Sequence, residues 1–203
     1  MLNVALTGNI AAGKSAVAQL FQDWGARLLD ADAIVRALQE PGTPVFQSIV
    51  ARFGPEVVSP DGRLNRSALR ARIVADPVER QALEQIVHPA VQAERRRRLQ
   101  QSPGDPDQIV VSDIPLLFES SDPAGFDAVV LVDAPESLRR DRLMGERGLA
   151  RGEAEALLRL QLPAAPKRLR SDFVIDNDQS RDTLRERAWQ VWRKLRSRAR
   201  NRA

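Results

Sequence analysis

The stretch Gly8-Asn9-Ile10-Ala11-Ala12-Gly13-Lys14-Ser15 has the spacing G-x-x-x-x-G-K-S. A turn of this kind wraps a phosphate with inward backbone N–H groups, and side chains at its glycines would obstruct the wrap. The free N–H groups of the helix that follows point at the same anion. Lys14 then reaches the outer phosphates, and the Ser15 hydroxyl joins a magnesium shell. The motif requires a strand before it and a helix after it. Leu2–Thr7 (LNVALT) reads as a buried strand, and 14–24 as a helix with Val17, Leu20, Phe21 and Trp24 on one face. The implied ligand is a nucleoside triphosphate. No N-K-x-D segment of the kind that reads guanine is present, so ATP is the simplest choice.

Carboxylates supply the second half of the chemistry. Asp30-Ala31-Asp32 closes a second predicted strand, 26–30, and opens a helix, 32–39. Phosphoryl transfer to an alcohol needs a carboxylate that orients the hydroxyl and accepts its proton. A helix start also favours an aspartate as a cap. We assign Asp32 as the base and Asp30 as the cap or a weaker metal contact. Asp113 ends the strand 108–113, where a water-mediated magnesium contact is expected; a turn residue before the Ile114-Pro115 step is the plainer reading.

These residues need a scaffold that brings strand ends together. Further strands are predicted at 126–133 and 172–176, with helices at 137–147, 152–162 and 181–198. The last helix carries Leu184, Ala188, Val191, Trp192 and Leu195 along one side. Residues 44–102 read as helical pieces punctuated at 53–55, 60–62, Pro77 and Pro89, and 102–106 as a loop. Strands alternating with helices imply an α/β fold, a parallel β-sheet of the P-loop NTPase type flanked by helices on both faces. Ligands of such sheets bind beyond the carboxyl ends of the strands, where Gly8, Asp30, Asp32 and Asp113 fall.

Composition narrows the alternatives. With 203 residues, no cysteine and one histidine, disulfides, cysteine metal sites, thiol catalysis and a serine–histidine triad drop out. No apolar run is long enough for a membrane span, and the N-terminus lacks a basic leader, so a cytoplasmic location is expected. The net charge is +4, nearly all of it arginine, with lysine only at 14, 167 and 194. That admits nucleic acid, anionic membrane or phosphorylated small ligands. An arginine-rich codon bias would produce the same excess.

The three sites, in this order and spacing, resemble dephospho-CoA kinase. The matching segments are 6–15, Asp30-Ala31-Asp32, Leu64-Asn65-Arg66, His88-Pro89, Asp113-Ile114-Pro115-Leu116-Leu117-Phe118-Glu119, then Gln161, Lys167 and 174–177. The resemblance spans 2 to about 178 and implies ATP-dependent phosphorylation of the ribose 3′-hydroxyl of dephospho-CoA, with magnesium. It implies a nucleotide-binding core at 1–59, 106–139 and 169–203. A helical CoA-binding insertion would occupy 60–105 and a lid 140–168. By the same resemblance Asp32 is the base and 11–16 contact ATP, so the expected nucleotide site is Gly8, Asn9, Ile10, Ala11, Ala12, Gly13, Lys14, Ser15 and Ala16. The acceptor side takes His88, Pro89, Leu116, Leu117, Phe118 and Glu119.

The chain departs from the family pattern at Ala11, Ala12, Ala16 and Val74, where glycine, serine, threonine and phenylalanine are usual. In the lid, Arg142 is present, Glu146 stands where a second arginine is expected, and Arg147 follows. Arg142, then Arg140, are the expected partners of the transferring phosphate; Lys167, Arg168 and Arg170 could add to that field. The X-Pro step at His88 implies extended backbone there. Arg95–Arg98 fan around a helix and read as a solvated face, although one could meet a CoA phosphate. The partners expected are ATP and dephospho-CoA, without nucleic acid or membrane, in a monomer or weak homo-oligomer. Rival readings are a kinase of nucleosides or nucleotides, and a nucleotide-dependent RNA-binding regulator.

Overall fold

The computed structural model describes residues 1–101, 107–120 (the last without its side chain) and 123–202. The expected loop at 102–106 lies outside the described residues. Strands β1 (Leu2–Gly8), β2 (Arg27–Asp30), β3 (Ile109–Asp113), β4 (Ala128–Asp133) and β5 (Phe173–Asp176) form a sheet of order β2-β3-β1-β4-β5. β1 runs parallel to β3 and to β4, and β4 parallel to β5. The first strand therefore sits in the middle, which puts the turn after Gly8 between the ends of β3 and β4.

Side-chain alternation divides the core into two layers. Leu2, Val4 and Leu6 of β1 share one face with Val130, Val132 and Ile175. That face is covered by α1 (Lys14–Asp23), through Val17 and Phe21, and by α10 (Arg181–Arg200), through Leu184, Ala188, Val191, Trp192 and Leu195. Ala5 and Val129 point the other way, against Leu117 and Phe118 of the short α6 (Leu117–Ser120). Three more helices complete this part: α7 (Glu136–Arg147), α8 (Arg151–Arg159) and α9 (Ala164–Leu169). Helix α9 was not anticipated. Pro163 and Pro166 read as breakers, yet proline is tolerated before and within a first turn, where the N–H has no partner in the helix.

Contacts divide the chain into two compact units, Met1–Leu29 with Pro103–Ala203, and Asp30–Ser102. The second is mainly helical: α2 (Ala31–Leu38), α3 (Pro44–Phe53), α4 (Arg66–Ala75) and α5 (Pro77–Gln100), with an antiparallel bridge between Val58 and Leu64. Its own core is Val45, Ile49, Phe53, Val57, Leu64, Leu69 and Val87. It begins at Asp30 rather than at 60, because α2 and α3 pack with α5. Local signals set its helix starts. Thr43, Asn65 and Asp76 each accept a backbone N–H at the N-cap, and Pro44 and Pro77 follow two of them.

Two expectations fail in α5. His88 is helical, not extended, and Pro89 lies inside the helix rather than ending it. Packing overrides the local preference: Val87 is buried, Ala90 and Val91 lie against the same core, and Pro89 itself faces solvent. Arg95 is buried rather than solvated, and burial lowers its pKa. Arg97 and Arg98 both pair with Glu94. Among the described residues no helix is long and apolar enough to cross a membrane.

Candidate active site

The turn from β1 to α1 is built by close approach. A Cβ on Gly8 would lie 2.6 Å from the Val132 carbonyl oxygen, so this glycine answers to the neighbouring strand β4. Gly13 caps α1 in the left-handed region (φ +93°), and a Cβ there would lie 2.1 Å from the Asn177 amide nitrogen. Asn177 follows β5 and donates to the Ala12 carbonyl at 2.8 Å. Ala11 also has positive φ, +59°, a conformation that costs an L-residue about 1–2 kcal/mol. The first turn of α1 has no acidic residue and no side-chain cap; the Ala16 N–H turns back onto the Gly13 carbonyl at 3.1 Å, and the N–H groups of Lys14 and Ser15 are left to meet an anion.

A cleft of about 670 Å³ opens over this turn, lined by Gly8, Asn9, Ile10, Ala11, Gly13, Lys14, Ser15 and Ala16, and beyond them by Leu116, Arg142, Arg147 and Asn177. Ala12 is the one member of the expected nucleotide set that is absent from the lining. It is fully buried and belongs to the sheet core. Asn9 reaches the cleft but keeps its side chain buried, with its amide nitrogen on the Leu162 carbonyl at 3.2 Å. Lys14 is ion-paired with Asp113, so the lysine and the strand-end carboxylate serve one locus.

Arg142 donates to the Ala11 and Asn177 carbonyls, each at 3.0 Å. Its guanidinium is thereby fixed beside the phosphate turn by two backbone anchors. Arg140 does not line the cleft; it lies near Asp141 at 3.9 Å. Arg147, one residue past Glu146, where the family pattern has an arginine, lines the cleft with it. Three other arginines are committed. Arg139 is buried with its Nε on the Ala134 carbonyl at 3.1 Å. Arg168 bridges Asp133 at 2.8 Å and Asp176 at 2.6 Å, and these bonds raise its pKa. Arg170 stacks over Phe118 at 4.8 Å.

The expected acceptor residues part company. Leu116 is exposed and lines the cleft. Leu117 (0% exposed) and Phe118 (7%) are core side chains and offer nothing to a ligand. Their apolar run reads as a pocket wall in sequence, but it fills the second face of the sheet. Glu119 is held by Lys167. His88 and Pro89 belong to the helical unit. In that unit Asp30 caps α2, accepting from the Ala33 N–H at 2.9 Å, and leaves Asp32 exposed in the first turn. Asn177 and Gln161 gain contacts to the turn that no local motif announces; the signal for both is that they fall in the segments that carry the family resemblance.

Among the described residues no group of three acidic or histidine side chains could hold a metal. A divalent ion here would take ligands from phosphate oxygens and water, with Ser15 and Asp113 as hard oxygen donors, which suits magnesium.

A family model for dephospho-CoA kinase matches residues 2–183. The chain belongs to the dephospho-CoA kinase family. It is 46% identical to a dephospho-CoA kinase of Symbiobacterium thermophilum over 94% of this chain and 80% of that one. It is 45% identical to that of Anaeromyxobacter dehalogenans, over 91% and 88%. A crystal structure of a Thermus thermophilus protein superposes with a TM-score of 0.82 at 35% identity, covering 94% and 95% of the two chains. The dephospho-CoA kinase of Campylobacter jejuni shares the fold, with a TM-score of 0.71 at 22% identity over 96% and 97%. Members of the dephospho-CoA kinase family are phosphotransferases, and the open helix terminus beside Lys14 fits that chemistry.

Proposed function

We propose that this family member transfers the γ-phosphoryl group of ATP to the ribose 3′-hydroxyl of dephospho-CoA, giving CoA and ADP. The observation that carries the reading is the uncapped, acid-free start of α1 behind a glycine-hinged turn, in a chain matched by the family model over 2–183. The turn and Lys14 hold the triphosphate, Lys14 exchanging Asp113 for phosphate oxygens. Ser15 and Asp113 are the residues that would hold magnesium, which supplies neutralising charge across the outer phosphates.

The acceptor hydroxyl attacks the γ-phosphorus in line, the bond to the bridging oxygen of ADP breaks, and Asp32 takes the hydroxyl proton. Arg142 and Arg147 meet the developing charge. His88 belongs to the acceptor side, and residues 140–168 serve as the lid. Asp32→Asn tests the scheme. It should keep ATP affinity and lower kcat about 100-fold or more, the usual scale for a lost general base. ADP release measured with dephospho-CoA, against a panel of nucleosides and nucleoside monophosphates, checks the acceptor. Unchanged turnover in Asp32→Asn would take the proton from this residue, and preference for a nucleoside would displace dephospho-CoA.

A further inference from the structure

Behind the phosphate turn lies a polar network that the reaction scheme does not use. Lys167 of α9 is 1% exposed. Its ammonium donates to Asn9 Oδ1 and to Glu119 Oε1. The same Glu119 oxygen accepts from the Leu162 N–H at 3.2 Å, and Asn9 Nδ2 donates back to the Leu162 carbonyl. Next to it, Gln161 Oε1 accepts from the Ile10 N–H at 2.7 Å. Both ends of the Asn9 amide are engaged, and because a lysine can only donate, the oxygen must face Lys167.

Buried ion pairs of this sort contribute little net stability, since desolvation offsets the attraction. Here one oxygen, Glu119 Oε2, is also buried without a hydrogen-bond partner among the described residues. A stabilising device would not leave it so. The network does, however, clamp the two residues that precede the N–H groups of the wrap, and it ties them to the segment joining α8 to α9.

We propose that Gln161 and Lys167 are positioning residues for nucleotide binding. They hold Ile10 and Asn9, whose carbonyl accepts the Ala12 N–H at 3.0 Å, so that the N–H groups of Gly13, Lys14 and Ser15 converge on the phosphates, and they make the shape of the turn depend on where α8 and α9 stand. This rests on the reading of the turn as the ATP site. Gln161 is only half-buried, so Gln161→Ala leaves the core intact. Lys167→Met combined with Glu119→Gln removes both buried charges together.

The test is calorimetric binding of ADP with magnesium, beside thermal melting, for the wild type and both variants, with steady-state kinetics for Gln161→Ala. Loss of one such hydrogen bond should weaken ADP binding and raise the KM for ATP about tenfold. For Gln161→Ala, kcat should stay within about threefold, as expected for uniform binding lost. The Tm of the double variant should be unchanged or higher. ADP affinity unchanged in both variants, or lost only in step with a falling Tm, overturns the proposal. Wild-type protein that fails to bind ADP removes the parent reading and this one with it; wild-type binding with unaltered variants removes this one alone.

Discussion

Single residues in this protein are tuned mostly by their nearest hydrogen bonds. Lys14 and Asp113 neutralise each other at the mouth of the phosphate turn, and Arg142 is held by two carbonyls instead of a carboxylate, so its charge remains available to a ligand. The clearest perturbed acid belongs to the helical unit. Glu94 takes two bonds from Arg97, both 2.7 Å, and one from Arg98 at 2.8 Å. These bonds lower its pKa to about 2 from an ordinary 4.5. A lowered folded-state pKa means stability that is complete above the unfolded value and is lost as pH falls toward 2. Arg97→Ala should move the Glu94 titration back toward 4.5 and weaken the acid dependence of stability between pH 4.5 and 2. Carboxyl chemical shifts followed through that range, with urea midpoints at each pH, check it. Salt should shrink the effect, because the cluster is near the surface.

At the scale of elements, local chemistry places most helix starts and packing decides what happens inside them. Thr43-Pro44, Asn65 and Asp76-Pro77 start helices in the structure, because a short polar side chain answers an orphan N–H and proline lacks one. Pro89 carries the same local signal for a stop and is overruled by burial of its neighbours. An internal proline removes one helix bond and crowds the preceding turn. Pro89→Ala should therefore stabilise α5, by about 1–3 kcal/mol if the freed N–H finds its helical acceptor. Chemical denaturation of the two proteins side by side measures it, and a lower midpoint for the alanine variant would show that the turn around 89 is relaxed around proline.

At the scale of the molecule, the largest hydrophobic core among the described residues lies on one face of the sheet, and a second lies inside 30–102. Phe53 is 1% exposed in the second core, so Phe53→Ala should cost about 3–5 kcal/mol. Hydrogen exchange should accelerate first in amides of α3–α5 and later in β1 and β4; uniform acceleration would mean one cooperative unit. Much of this architecture was legible from residues alone. The phosphate turn, the alternation of the strands, the Asp30 cap and the apolar stripe of α10 are local patterns, and each follows from the geometry of a few consecutive residues. Other features answer to partners far along the chain. Asn9 meets Lys167 across 158 positions and Lys14 meets Asp113 across 99. Leu117 and Phe118 look identical in sequence whether they line a pocket or fill a core, and only the opposite face of the sheet resolves it. The order of residues determined which groups could bind phosphate and where strands must end. Tertiary structure alone decided which charges are already neutralised and which remain free, because desolvation and pairing depend on neighbours in space.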